Sequence, residues 1–204
     1  MSRYLHSLKP GASVEVRGGY GELEVPQETR RVLFLAGGTG VAPAMQVAHC
    51  LARRGMLAQT SGEEARVGIM WANRRAEDAL GKDAGVKQEE NVNEMVAMMR
   101  DLEAKAERVA DVEVKTKYFV DEENRFIQLG DVVAELARLD PKVDGTPAQA
   151  SGGHEKLILI SGPDGFVEYF AGPKRITNDG REVKGLTGGL LSQMKLDGWT
   201  VVRL

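Results

Sequence analysis

This 204-residue sequence predicts an α/β fold, a doubly wound parallel sheet of five strands in the order 3-2-1-4-5. Three observations carry that expectation. Short apolar runs alternate along the chain with stretches of helical period. Two of those runs are apolar throughout, while another is apolar only at every second residue. Finally, the 24 glycines, well above the usual share of about 7%, cluster where apolar runs end.

The elements follow in order. Val32-Leu33-Phe34-Leu35-Ala36 is continuous and closed by Gly37-Gly38, the pattern of a strand buried on both faces. Pro43 to Arg54 reads as a helix with Met45, Val47, Ala48 and Leu51 turned inward, and Val67 to Ala72 as the second strand. Val92, Met95, Met99, Leu102, Ala106 and Val109 recur at spacings of three and four, opposite Glu94, Arg100, Asp101, Glu103 and Glu107, and predict an amphipathic helix. Met95, Met98 and Met99 read as core filler there. From Val112 to Val120, Val112, Val114, Thr116, Tyr118 and Val120 alternate with Glu113, Lys115 and Lys117, as in a strand with one wet face. A helix carrying Leu129, Val132, Val133 and Leu136 follows, then the central run Leu157 to Ile160, then a last strand from Trp199 to Leu204. Pro141 to Glu155, rich in Pro and Gly, reads as a surface insertion at about 140–155.

Residues 1–29 stand outside this alternation. Pro10-Gly11 is a turn, Val14 to Arg17 a strand and Gly18 to Gly21 another turn, together the end of an antiparallel unit. The predicted division is therefore residues 1–29 and residues 30–204. A net charge of −3 without a basic stripe argues against nucleic acid as the main partner. Apolar runs fall far short of the roughly 18 residues of a membrane span. One cysteine, Cys50, excludes an internal disulfide, and three scattered histidines (His6, His49, His154) make no metal cluster. His49 and Cys50 lie within the first helix and read as packing.

In the order 3-2-1-4-5 the first and fourth strands are neighbours at the topological switch point, where such sheets bind ligands. The loops leaving them, Gly37-Gly38-Thr39-Gly40-Val41-Ala42-Pro43 and Ser161-Gly162-Pro163-Asp164-Gly165-Phe166, should face one crevice. Free N–H groups at a helix start, with no Cβ in the way, suit a pyrophosphate. The dinucleotide fingerprint G-x-G-x-x-G is met by Gly38 and Gly40 but has Pro43 at its third position, and no Gly-Lys-Ser/Thr makes a P-loop. Asn73-Arg74-Arg75 follows the second strand, where an adenosine ribose belongs. Two readings stay open: an arginine that accepts a 2′-phosphate, or two solvated arginines. Asp121, after the third strand, leans toward a free 2′-hydroxyl. Ser161 has neither a Gly-x-Ser-x-Gly elbow nor an evident histidine partner, so it reads as touching a ligand or closing the turn.

The stretch Gly37 to Pro43 after an apolar strand resembles the nicotinamide-nucleotide motif of the ferredoxin–NADP reductase superfamily, most nearly its cytochrome b5 reductase branch. Met70 to Asp78 is similar to that branch's second-strand element, and Ser161-Gly162-Pro163 stands where the family usually has Cys-Gly-Pro. Ser2-Arg3-Tyr4-Leu5, Lys9-Pro10-Gly11 and Val14 to Gly18 resemble the end of its antiparallel flavin-binding barrel. A narrower likeness, through Tyr118 to Glu123, Ser161 to Phe166 and Gly188 to Trp199, is to fungal mitochondrial flavoproteins that assist haem attachment to cytochrome c.

The resemblance implies an NAD(P)H-binding domain of an FAD-dependent oxidoreductase, which passes a hydride to flavin and then electrons to haem or another one-electron acceptor. It implies that Gly37, Gly38, Gly40, Val41, Ala42 and Pro43 form the pyrophosphate turn and that Asn73 and Arg74 meet the adenosine. Thr39 would stand at the flavin–nicotinamide junction, Ser161, Gly162 and Pro163 beside the nicotinamide ribose with Asp164, Gly165 and Phe166 completing that loop, and Ser2 at the FAD pyrophosphate. Thr39 and Ser161 are then the residues expected nearest the chemistry. A haem protein or cytochrome c maturation partner, and a mitochondrial location, are implied by the narrower likeness alone. The family's flavin-binding Arg-x-Tyr-Ser/Thr stretch is absent from the sequence, so the chain by itself is not expected to hold FAD or turn over. Ser161 replaces the family's cysteine, and Leu204 ends the sequence where an aromatic residue is usual. A non-catalytic mitochondrial assembly or docking factor that keeps the fold is the alternative. A free-standing dehydrogenase is weaker, because no acid–base pair stands near the crevice loops. The choice between NADH and NADPH stays open.

Overall fold

Arg31–Gly37 forms β1, and Val32 to Ala36 within it are fully shielded from solvent, which is why no polar residue interrupts the run. A computed structural model describes residues 4, 7–9, 11–18, 21, 23–57, 64–83, 92–108, 112–141 and 156–204. Along these, α1 (Val41–Leu57), β2 (Ala65–Asn73), α2 (Glu94–Arg108), β3 (Val112–Val120), α3 (Leu129–Leu139), β4 (Lys156–Ser161), α4 (Asp164–Ala171) and β5 (Trp199–Arg203) follow β1. The five strands make one sheet in the order β3-β2-β1-β4-β5, parallel throughout. This is the predicted order.

Alternate residues of β1 point to opposite layers. Val32, Phe34 and Ala36 pack with Val41, Ala48 and Leu51 of α1 and Met99 and Leu102 of α2. Leu33 and Leu35 pack with Val132 and Leu139 of α3 and Phe170 of α4. Each fully buried side chain of this size contributes about 1.5–3 kcal/mol, so covering both faces is what holds the sheet. A Gln128–Asp131 capping box starts α3, with the Gln128 N–H donating to Asp131 Oδ2 at 2.8 Å.

Several expectations need correction. Val14 to Arg17 form no strand among the described residues, and Val14 and Val16 are 45% and 86% exposed. Without a neighbour to take its N–H and C=O groups, an isolated run gains nothing by extending. No barrel remnant is seen there. Met98 and Val133 are exposed, because the inner faces of α2 and α3 are filled by Val96 and Val132 instead. Phe119 is buried on the face opposite Tyr118, so β3 is covered on both sides near its end. Helix α4 was not foreseen: eight residues are too few to show a period. Most of the expected insertion (142–155), and also Ser2, His6, Val109 and His154, lie outside the described residues.

Two buried charges stitch the edges. Arg203, 3% exposed, donates to the carbonyl oxygens of Ala171 (2.7 Å), Pro173 (3.2 Å) and Gly185 (3.0 Å) and to Thr187, fastening that segment against β5. Glu135, 1% exposed, lies over Gly68 of β2 and pairs with Arg138 and Lys117 at 2.7 Å each. Burial pushes its carboxyl up, but the Arg138 and Lys117 bonds outweigh that and hold it below its ordinary 4.5. A carboxylate lowered on folding stabilises the protein above its unfolded value, and that contribution disappears as pH falls through the folded value. The thermal midpoint should therefore drop on acidification below about pH 4.5, and Glu135→Gln should flatten this decline while lowering the midpoint at pH 7. Parallel acid limbs in melting scans of the two proteins would refute the assignment.

Candidate functional site

Parallel pairing sets Ala36 of β1 beside Ser161 of β4, so the two chains leave the sheet side by side. The first passes through a single 3-10 turn, Gly38–Gly40, directly into α1. Its glycines do different work. A Cβ on Gly40 would lie 2.5 Å from the Ser161 carbonyl carbon, and one on Gly37 would lie 2.9 Å from the Phe166 ring. Both are packing glycines that let one loop rest on the other. Gly38 alone has a positive φ, +53°, among the three, and a Cβ there would meet nothing within 4 Å. It faces open space. Pro43 falls in the first turn of α1, where an N–H has no partner within the helix, so it replaces the fingerprint's third glycine without losing a bond.

The open space is a crevice of about 510 Å³ at the carboxyl ends of β1, β2 and β4. Gly37, Gly38, Pro163 and Phe166 form one side, and Asn73, Arg74, Arg75, Asp78 and Asp121 the other. Asn73 is 5% exposed, and its side-chain NH₂ has no hydrogen-bond partner among the described residues. A buried amide donor left unpaired costs about 1–3 kcal/mol, a cost removed by a ligand acceptor. Arg75 is bonded to Glu77 at 2.7 Å, which raises its already high pKa and spends its charge outside the crevice. The Arg74 guanidinium has no ion pair among the described residues. Loops after β2 and β3 are bound together, Glu122 accepting from the Ala76 N–H at 2.9 Å and donating its own N–H to Arg74 O at 3.1 Å. These bonds hold Arg74 and Asp121 at one rim. Beyond Phe166 the crevice continues into a recess of about 480 Å³ walled by Phe126, Ile127, Tyr169 and Phe170.

Of the residues expected at a site, Gly37, Gly38, Asn73, Arg74, Pro163, Gly165 and Phe166 line the crevice. Thr39 is exposed on the turn, Ala42 is exposed, and Val41 is fully buried beneath it. Gly40, Ser161 and Gly162 form the loop-to-loop contact, and Asp164 begins α4 in solvent. Pro43 lies on the far side of α1, in a groove it shares with Cys50, Arg54 and Leu204. Asp78 ends the second-strand element Met70 to Asp78, but sequence reasoning missed Phe126 and Tyr169. The last two are 50% and 53% exposed, and an aromatic ring left in solvent beside a crevice is the signal that marks them. Among the described residues no cluster of metal ligands occurs, and no helix is long and apolar enough to cross a membrane.

An orphaned amide, an unpaired guanidinium and an open glycine turn at a helix start fit a phosphate-containing nucleotide. Comparison with known proteins points the same way. The likeness is to NADH-cytochrome b5 reductases. The chain is 24% identical over 93% of its length to NADH-cytochrome b5 reductase 2 of Debaryomyces hansenii, and 26% identical over 91% to an NADH-cytochrome b5 reductase-like protein of Arabidopsis thaliana. It spans about half of each relative, 54% and 48%. A shorter stretch, 41% of the chain, is 31% identical to the NADH nitrate reductase of Cucurbita maxima, covering 10% of that protein. No family model matches. All three relatives carry NADH in their names, and none of the three names speaks of cytochrome c maturation.

The two kinds of glycine predict different losses. Gly40→Ala should lower unfolding free energy by about 2–3 kcal/mol by forcing the loops apart. Gly38→Ala should cost about 1 kcal/mol, for its left-handed φ alone. Equal losses in denaturant titrations would mean that the loops are not packed as described.

Proposed function

We infer that the chain is the nucleotide-binding half of an FAD-dependent oxidoreductase that takes electrons from NADH. The observation that carries this is the crevice at the switch point, where, among the described residues, the Asn73 amide has no hydrogen-bond partner and the Arg74 guanidinium no ion pair, across from the open Gly38 turn. The open Gly38–Thr39 turn leading into α1 would receive the pyrophosphate. The aromatic recess is suited to the flat adenine ring, with Phe126 and Tyr169 offering faces for stacking. Ser161, Gly162 and Pro163 would border the nicotinamide half. Bound NADH supplies a hydride to the flavin; the chain's own task is to hold the nucleotide in place and exclude water from it.

Preference for NADH rests on the rim. An additional 2′-phosphate would face Asp121 and Asp78 with Arg75 already committed to Glu77. A free ribose hydroxyl could instead donate to Asp121. FAD would be held by a barrel joined to residues 1–29, and a cytochrome-type protein would accept the electrons, as the relatives' names suggest.

Calorimetric titration of each nucleotide tests this reading. NADH should bind more tightly than NADPH, and Gly38→Val should abolish binding by filling the open turn. Asp121→Asn should narrow the preference by about tenfold, the worth of one charge–charge contact removed. Binding unchanged by Gly38→Val, or absent even with a flavin domain attached, would overturn the assignment.

A further inference from the structure

Trp71 lies 3% exposed on β2, one residue before the crevice wall begins at Ala72. Its ring packs against Tyr118 of β3, centroids 5.6 Å apart at 51°. Its indole Nε1–H donates to Gly38 O at 2.8 Å, linking positions 33 residues apart in the chain. The same carbonyl accepts from the Val41 N–H, so both of its lone pairs are used. A trans peptide is planar, with its C=O and N–H antiparallel. Fixing Gly38 O toward Trp71 therefore aims the Thr39 N–H the opposite way. Successive strand residues point to opposite faces, and the residue after Trp71, Ala72, lines the crevice. The indole bond thus turns an N–H of the glycine turn toward the side on which the crevice opens. It also restrains Gly38, a crevice-lining glycine with a left-handed φ and open space around it.

We propose that Trp71 is a positioning residue for dinucleotide binding: its indole N–H locks the Gly38–Thr39 peptide so that the turn presents its donors to the pyrophosphate. This rests on reading the crevice as the NADH site. A phenylalanine would fill nearly the same volume against Tyr118 and lack the donor, so Trp71→Phe isolates the bond from the packing.

The test pairs that variant with Tyr118→Leu, which disturbs the packing and leaves the indole bond. In NADH titrations Trp71→Phe should weaken binding about fivefold, in line with one lost hydrogen bond, while Tyr118→Leu leaves affinity unchanged. In ¹⁵N NMR spectra of the nucleotide-free chain, the Thr39 and Gly40 amide signals should shift and broaden in Trp71→Phe only. Equal weakening in both variants, or unaltered turn signals in Trp71→Phe, would overturn the proposal. One measurement needs no variant: in the unsubstituted chain the Trp71 indole N–H should exchange slowly with D₂O, and immediate exchange would also sink the idea. Failure of the unsubstituted chain to bind NADH even with a flavin domain attached, with turn signals still perturbed by Trp71→Phe, would refute the nucleotide reading and leave the indole's hold on the turn standing.

Discussion

Everything around the crevice depends on how closely the chains leaving β1 and β4 approach each other. Ser161 O occupies the space in which a Cβ on residue 40 would lie, and the Phe166 ring occupies much of the space open to one on residue 37. Parallel pairing of the two strands makes this approach unavoidable, since both exit at the same level of the sheet. The chain meets the constraint with glycine at both positions and so closes the gap between β1 and β4. With that gap filled, the remaining opening lies over β1 and β2, where Asn73 and Arg74 stand. The ligand space is the part of the switch point that the loops do not fill.

Charge is distributed by a similar logic. Away from the crevice, the charges of Arg203 and Glu135 are satisfied internally. Arg203 is surrounded by carbonyl oxygens and a hydroxyl, and Glu135 is held between Arg138 and Lys117. Removing one partner from such a set strands a charge in a poor solvent, which is why these sets are complete. At the crevice the Asn73 amide is buried without a partner among the described residues, as the Thr116 and Tyr118 hydroxyls are on β3. A native fold leaves few buried polar groups unpaired, and of these Asn73 is the one that lines the crevice, where a ligand atom would be the missing partner. The Glu77–Arg75 pair, more exposed and on the same rim, removes one of two adjacent cations from play.

The sheet order and the two glycine loops were legible because both are written in local sequence: uninterrupted apolar runs, each ended by glycine, at strands that must be central. What each glycine does was not legible. Gly37, Gly38 and Gly40 look alike in the sequence, and only the position of Ser161 and Phe166, more than a hundred residues later, separates packing from opening. Glu135 was hidden for a related reason. A carboxylate at a helix position reads as solvated, and its burial depends on Gly68 leaving room beneath it and on cations from β3 and its own helix. Val14 to Arg17 misled in the opposite direction, since local alternation says nothing about whether a partner strand is present. The aromatic recess draws Phe126 and Tyr169 from two separate loops and helices, a meeting that no spacing rule could show.

Three titratable groups displaced by the fold lie around β3, away from the crevice. Burial pushes Glu103 up, and it pushes Tyr118 up to about 12, with the neighbouring Glu103 charge adding to the latter. Partial burial pushes Glu113 up, but Lys115 and Arg138 carry it below the usual carboxylate range. These groups sit among the side chains of α2, α3 and β3 and line none of the crevice. An enzyme that moves protons places its displaced groups where substrate is bound. Here the crevice instead concentrates backbone donors, a fixed glycine turn, an unpaired amide and flat aromatic walls, which are the means of holding a rigid molecule in one pose. Such a surface holds a ligand by orientation, while the charged groups at the edge of the sheet serve stability.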